Sequence, residues 1–135
     1  LGGIGKGYAL DAMAERCVEW GITGGLLSAG ASTQLAFGPD LWEVDLRGDH
    51  HCLGVELCNR ALSASGTAIQ GSHIVSPAGP GGDYPRSRVW VRAASAALAD
   101  AFSTAALLAD DVKRLKTNDL ELEIFAESDA GIVAA

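Results

Sequence analysis

Apolar positions recur along this chain in two periods, one helical and one alternating, and together they lay out a mixed α+β arrangement. In the opening segment LGGIGKGYALDAMAERCVEWGI, a glycine-rich start gives way to Ala9, Ala12, Met13, Cys17 and Trp20 at helical spacing. Gly21 follows as the residue that closes the helix. GGLLSAGAS is short, apolar and bounded by glycine, which predicts a buried strand and then a tight turn. LWEVDLRG alternates Trp42, Val44 and Leu46 against Glu43, Asp45 and Arg47, the signature of a half-buried, antiparallel strand. HCLGVELCNRALSASG alternates more weakly and predicts a second strand or a hairpin. The stretch from Ser76 to Arg86 is a loop by composition, and SRVWVRA is a strand.

ASAALADAFSTAALLADD then predicts an alanine-rich helix with Ser95 as its N-cap. The charges Asp110, Asp111, Lys113, Arg114 and Lys116 are expected to continue that helix end as a solvated face. LELEIFAES reads as a strand, Asp129-Ala130-Gly131 as a turn and GIVAA as a last short strand. No repeat, linker or low-complexity tract interrupts this order. The expectation is a single α+β domain over residues 1–135, an antiparallel or mixed sheet with helices packed on one face.

Composition narrows the classes of function. A chain of 135 residues buries about two-thirds of its unfolded surface, so it folds without needing a disulfide or metal. A net charge of −7 repels phosphate backbones and argues against nucleic-acid binding. It leaves room for a small phosphate-bearing ligand held locally by a helix N-terminus or a metal ion. Cys17, Cys52 and Cys58 are odd in number and lack metal-ligand spacing, so they are expected as free, buried thiols in a reducing compartment, which favours the cytoplasm. No run approaches the ~18 apolar residues of a membrane span, and no signal-peptide pattern is present. The opening Leu1-Gly2-Gly3-Ile4 reads as a cut end, with export open if a targeting sequence lies upstream.

Three places could carry chemistry. The Gly2-Gly3-Ile4-Gly5-Lys6-Gly7 run precedes a helix, where glycines let backbone approach a ligand and Lys6 adds a charge suited to phosphate. It matches neither a Walker motif nor a dinucleotide fingerprint, and a plain turn is the competing reading. Asp100 and Thr104 lie four apart on the alanine-rich helix, so one carboxylate and one hydroxyl share a face able to ligate a hard divalent cation. The plainer alternative is an exposed Asp and a Thr bonding back to its own helix. His73, in Ser72-His73-Ile74 beside the loop, is a candidate general base, although an isolated His is more often structural. His50 and His51 look like turn residues. Ser65-Gly66 lacks the nucleophile-elbow pattern, which rules out a serine-hydrolase reading.

The order of these segments resembles the ApbE family of FAD:protein FMN transferases. LGGIGKGYALD is similar to the family block LGGIAKGYAVD, and GGLLSAGAS to its LVNLGGD strand and turn. LWEVDL resembles WxVxI, and LSASGTA with SHIVSPAG resembles TSGDY with SHIIDPRTG. VWVRAASAALADAFSTAALL is similar to the VxVxAPxAxxADALATALF helix. The resemblance runs from residue 1 to about 108 and fits the C-terminal half of such an enzyme, which implies an ApbE-like, T-fold-like half.

It also implies an activity: Mg²⁺-dependent transfer of FMN from FAD to a Thr or Ser hydroxyl of a client protein, with AMP leaving. The implied metal ligands are the Gly5 carbonyl, Asp100 and Thr104, and His73 is the implied base that deprotonates the acceptor. Gly5, Lys6, Ser65, Gly66 and His73 match positions that face FAD, and an N-terminal partner chain or fragment would complete the fold. Several positions depart from the family blocks: Ser28, Ala31 and Ser32 in the second, Ala64, Thr67 and Ala68 in the TSGDY segment, and Ser76, Ala78 and Gly79 after His73. These departures keep two alternatives open, a relative that binds FAD or another nucleotide without flavinylating a protein, and a non-catalytic association module.

Overall fold

The computed structural model describes residues 3–66, 86–115 and 120–135. Helix α1 (Gly5–Glu19) is followed by β1 (Gly25–Ala29), β2 (Thr33–Phe37), β3 (Trp42–Arg47), β4 (Cys52–Leu57) and β5 (Ala61–Gly66). Then come β6 (Arg88–Ala93), α2 (Ala96–Leu108), β7 (Glu123–Ser128) and β8 (Gly131–Ala134). Six strands form an antiparallel sheet in the order β1-β2-β5-β6-β7-β8, while β3 and β4 pair in a sheet of their own. The α+β expectation with an antiparallel sheet holds.

Both helices end for the reasons their sequences give. Gly21 adopts φ 83°, and the N–H groups of Gly21 and Ile22 donate to the carbonyls of Val18 and Cys17, each at 2.9 Å, closing α1 in a Schellman motif. Ser95 caps α2 by accepting the Leu98 N–H at 3.3 Å. At the other end of α2, Arg86 donates to the carbonyls of Ala106 at 3.3 Å and Ala109 at 2.7 Å, a cation on carbonyls that lack helical partners.

Strand alternation sorts the core into two layers. Leu35, Phe37, Ala61, Val89, Val91 and Ile124 face α1 and α2. Ala36, Leu62, Trp90 and Phe125 face the other way, onto Val44, Leu46, Val55 and Leu57 of the β3–β4 hairpin. Helices therefore cover one face, as predicted, and the hairpin covers the other, which makes three layers. Removing a fully buried Val or Leu from either layer forfeits about 1.5–3 kcal/mol of burial before any cavity forms.

Several elements differ from the sequence expectation. The HCLGVELCNRALSASG segment is two strands in two different sheets, broken at Asn59, whose φ of 49° turns the chain. Strand β2 had no alternation to reveal it, because Thr33, Leu35, Ala36 and Phe37 are all buried. The charged stretch after α2 does not prolong the helix. It breaks at Ala109 and restarts as a 3-10 turn over Val112–Leu115, with Asp111 accepting the Lys113 N–H at 3.0 Å; Lys116 lies outside the described residues. The three cysteines are free, as expected, but Cys52 and Cys58 are exposed and only Cys17 is partly covered. Their strand and turn lie on the hairpin, which has one solvated face.

Charged side chains fasten the hairpin to the main sheet. Arg92 on β6 donates to the Glu56 carbonyl at 2.9 Å and pairs with Glu123, and Arg88 donates to the Arg47 carbonyl at 2.5 Å. The tightest fastening is Glu127 of β7. Its carboxylate accepts the N–H groups of Asp49, His50 and His51 at 2.8, 2.9 and 3.1 Å and contacts the His51 Nδ1 at 3.2 Å. Gly48 leaves the room: a Cβ there would stand 2.3 Å from that carboxylate. The backbone donors, those of His50 and Asp49 first, lower the Glu127 pKa from 4.5 to about 2.

A depressed carboxylate pKa contributes stability that is fully present above the unfolded value and is lost as pH falls through the folded one. For Glu127 that window runs from 4.5 down to about 2. Thermal melts of wild type and Glu127→Gln should therefore differ most above pH 4.5 and converge as pH falls toward 2. A gap between them that stays constant across this range would show that the clasp is not ionic.

Candidate functional site

The amino ends of α1 and α2 meet over the middle of the sheet, and each helix supplies the other's cap. Ile4, at the N-cap of α1, makes no side-chain cap bond. Asp100 of α2 takes that role from outside, its Oδ2 accepting the Gly7 N–H at 3.1 Å. In return, Asp11 of α1 accepts the N–H groups of Ala96 and Ala97 at 2.8 and 2.9 Å. Both carboxylates thus sit at the positive ends of helices. Such contact requires the two backbones to approach closely: a Cβ on Gly7 would lie 2.1 Å from the Ala96 carbonyl oxygen. Glycine at 7 and alanine at 96 leave that space open.

Asp100 is 2% exposed, so its charge depends on neighbours rather than on water. The Lys6 ammonium lies 3.2 Å from Oδ1, and the Ser63 hydroxyl donates to the same oxygen at 3.4 Å. A line of hydroxyls continues from there along β2, β5 and α2. Thr33 and Ser63 are 3.0 Å apart, Ser103 lies 3.4 Å from Ser63, and Ser65 lies 2.8 Å from Ser103 and 3.5 Å from Thr104. Ser103 and Thr104 each donate to the Asp100 carbonyl, at 3.0 and 3.3 Å. The opening glycines lie beside this group, since a Cβ on Gly3 would stand 3.5 Å from the Thr104 Oγ1.

The structure therefore gathers Gly5, Lys6, Ser65, Asp100 and Thr104 at one junction, with Gly66 ending β5 beside Ser65. The plainer reading of the helix pair fails for the carboxylate, which is buried, and holds for Thr104, which does bond back to its helix. His73 lies outside the described residues. His50 and His51 occupy the β3–β4 turn, as predicted, away from this junction. Among the described residues no three His, Cys, Asp or Glu side chains converge as a metal cluster. A cation here would instead meet one carboxylate with hydroxyl and carbonyl oxygens, a donor set that suits a hard ion.

Sequence reasoning did not single out Asp11, Thr33, Ser63 or Ser103. A signal existed for two of them: Ser63 and Ser65 are two apart on a strand, so they had to share a face. Asp11 stands four residues after Gly7 and so shares its helix face.

The sequence profile of the ApbE family matches residues 1–125. The chain belongs to the ApbE family. A search of curated proteins returns no match. Among solved structures, the ApbE protein of Thermotoga maritima aligns with TM-score 0.81 and 23% identity, covering 98% of this chain and 50% of that one. The apo flavinyl transferase ApbE of Pseudomonas stutzeri aligns with TM-score 0.77 and 22% identity, over 98% of this chain and 46% of that one. The flavin transferase ApbE of Vibrio cholerae gives 0.73 and 18%, over 98% and 48%. The family fold is thus present, and the chain spans about half the length of these ApbE structures.

The reciprocal caps predict unequal effects of substitution. Asp11→Ala should destabilise the protein by about 1 kcal/mol, the usual cost of a lost N-cap, and Asp11→Asn by less, as read from urea unfolding. Gly7→Ala should cost about 1–3 kcal/mol, because the new methyl meets backbone rather than a movable side chain.

Proposed function

We propose that this chain carries the metal-and-phosphate half of an ApbE-type flavin transferase site, which moves FMN from FAD onto a Thr or Ser hydroxyl of a client protein. In this reaction the acceptor oxygen forms a bond to the FMN-side phosphorus of the FAD pyrophosphate. The phosphorus–oxygen bond to the AMP phosphate breaks, and AMP leaves with that oxygen. The hydroxyl proton passes to a base, for which His73 is the candidate. The observation that carries the reading is the buried carboxylate of Asp100 at the amino end of α1, compensated, among the described residues, by the Lys6 ammonium.

The residues present fit a magnesium ion. Asp100 keeps lone pairs beyond those used by Gly7, Lys6 and Ser63, and Thr104 donates its proton to a carbonyl, which leaves its oxygen lone pairs available. Asp100, Thr104 and the Gly5 carbonyl would hold the ion, which when bound offsets charge on the pyrophosphate oxygens. Lys6 and the amino end of α1 favour the phosphates of FAD, and Ser65 and Gly66, at the end of β5, would serve as further FAD contacts. On this reading the rest of the flavin cleft comes from polypeptide equivalent to the other half of these enzymes, whether in the same chain or a partner.

A second reading is a relative that binds FAD or another nucleotide without transfer. It is favoured by the departures at Ser28, Ala31 and Ser32, where Ser28 is exposed and its hydroxyl is spent on the Gly30 carbonyl at 2.7 Å.

Incubating the native protein with FAD, MgCl₂ and a Thr-containing acceptor should give a flavin-fluorescent acceptor band and equimolar AMP, both abolished by EDTA. Asp100→Asn retains an acceptor for the Gly7 N–H, so it should fold while losing transfer by about a hundredfold or more, as when an electrostatic stabiliser is removed. FAD binding with neither product would favour the second reading. Unchanged turnover in Asp100→Asn would refute the assignment of that residue.

A further inference from the structure

Lys6 pairs with the Asp100 carboxylate that a metal would share, and we infer that Lys6 is a built-in counter-ion exchanged for the divalent cation on loading. The inference rests on the proposed metal role of Asp100 and adds a role for Lys6 that the donor set alone does not require.

A carboxylate that is 2% exposed cannot rely on water, and leaving it without a cation is among the more costly arrangements in a folded protein. The Gly7 N–H at 3.1 Å and the Ser63 hydroxyl at 3.4 Å are neutral donors. Among the described residues, the full positive charge on Asp100 comes from Lys6, with Nζ 3.2 Å from Oδ1. The two partners differ in freedom: Asp100 is fixed by packing and by its bond to α1, whereas Lys6 is 40% exposed on a flexible four-carbon stem. Lys6 can therefore swing into solvent while Asp100 stays in place.

An ammonium and a dication competing for the same carboxylate repel one another at contact distance in a poorly solvated site. Metal entry thus requires Lys6 to leave Oδ1. The released ammonium remains attached at the amino end of α1, where partial positive charge already favours an anion. Metal loading and the approach of a phosphate ligand become linked through one side chain: the ion displaces the lysine, and the lysine is then free for phosphate.

The test uses the native protein stripped with EDTA, with Mn²⁺ alone as the probe and no nucleotide. Lys6→Met should bind Mn²⁺ about tenfold more tightly than wild type, the factor expected if about 90% of metal-free molecules hold the Lys6–Asp100 pair. The same variant should melt at lower temperature than wild type in EDTA, and saturating Mn²⁺ should erase that difference. Lys6→Arg, which keeps the charge, should restore stability in EDTA. In ¹⁵N-lysine spectra the Lys6 ammonium signal should move on addition of MgCl₂. Mn²⁺ affinity unchanged in Lys6→Met, or a Lys6 signal that stays fixed while metal binds, would overturn the exchange. Failure of both wild type and Lys6→Met to bind Mn²⁺ would instead remove the metal reading itself, and the exchange with it.

Discussion

The junction of α1 and α2 depends on two carboxylates, each borrowed from one helix to finish the other. Asp11 closes the start of α2 and Asp100 closes the start of α1. A helix N-terminus buried without acceptors leaves backbone N–H groups orphaned, so neither helix can pack here alone. The crossing also dictates composition. Gly7 against Ala96 is a backbone-to-backbone approach, and Ala96, Ala99 and Ala106 on α2 are fully buried. The alanine-rich character of α2 follows from this closeness as much as from helix propensity.

The same crossing turns a structural need into a chemical opportunity. Completing α1 from outside required a carboxylate on α2, and close packing then buried it. Burial in turn required a cation, and the first turn of α1 supplies Lys6. The hydroxyls of Thr33, Ser63, Ser65 and Ser103 absorb the remaining polar groups beneath the helices, which keeps the network satisfied without further charge. The outcome is a compensated carboxylate at a helix N-terminus, with glycine backbone beside it and a hydroxyl one turn along α2.

Elements with a single period were legible in the sequence. Val44 and Leu46 alternating with charges announced β3, and Gly21 and Ser95 marked helix ends that the backbone then adopted. Strand β2 was hidden because burial on both faces erases alternation. The three-layer arrangement was hidden for another reason: β4 and β5 are adjacent in sequence but belong to different sheets, and the switch rests on one left-handed residue, Asn59. The pairing of Asp100 with Thr104 followed from helical spacing, and their nearness to the opening glycines from the family resemblance. The burial of Asp100 and its bond to Gly7 followed from neither, because they join positions 93 residues apart in the chain.

The two faces of the main sheet have divided the work. On the hairpin face, Arg88, Arg92, Glu123 and Glu127 spend their charges on backbone groups and on each other, which fastens β3 and β4 in place. On the helix face, the buried charge among the described residues is Asp100, at the helix junction. Asp100 there serves the fold by accepting the Gly7 N–H at the start of α1. Thr104 is different: its one bond inside 3.5 Å that belongs to the helix is a weak return to the Asp100 carbonyl, and an alanine could replace it in α2 without orphaning a donor. A hydroxyl one turn from a buried carboxylate adds an oxygen to the junction, while the carboxylate of Asp100 is the feature on which the proposed chemistry rests.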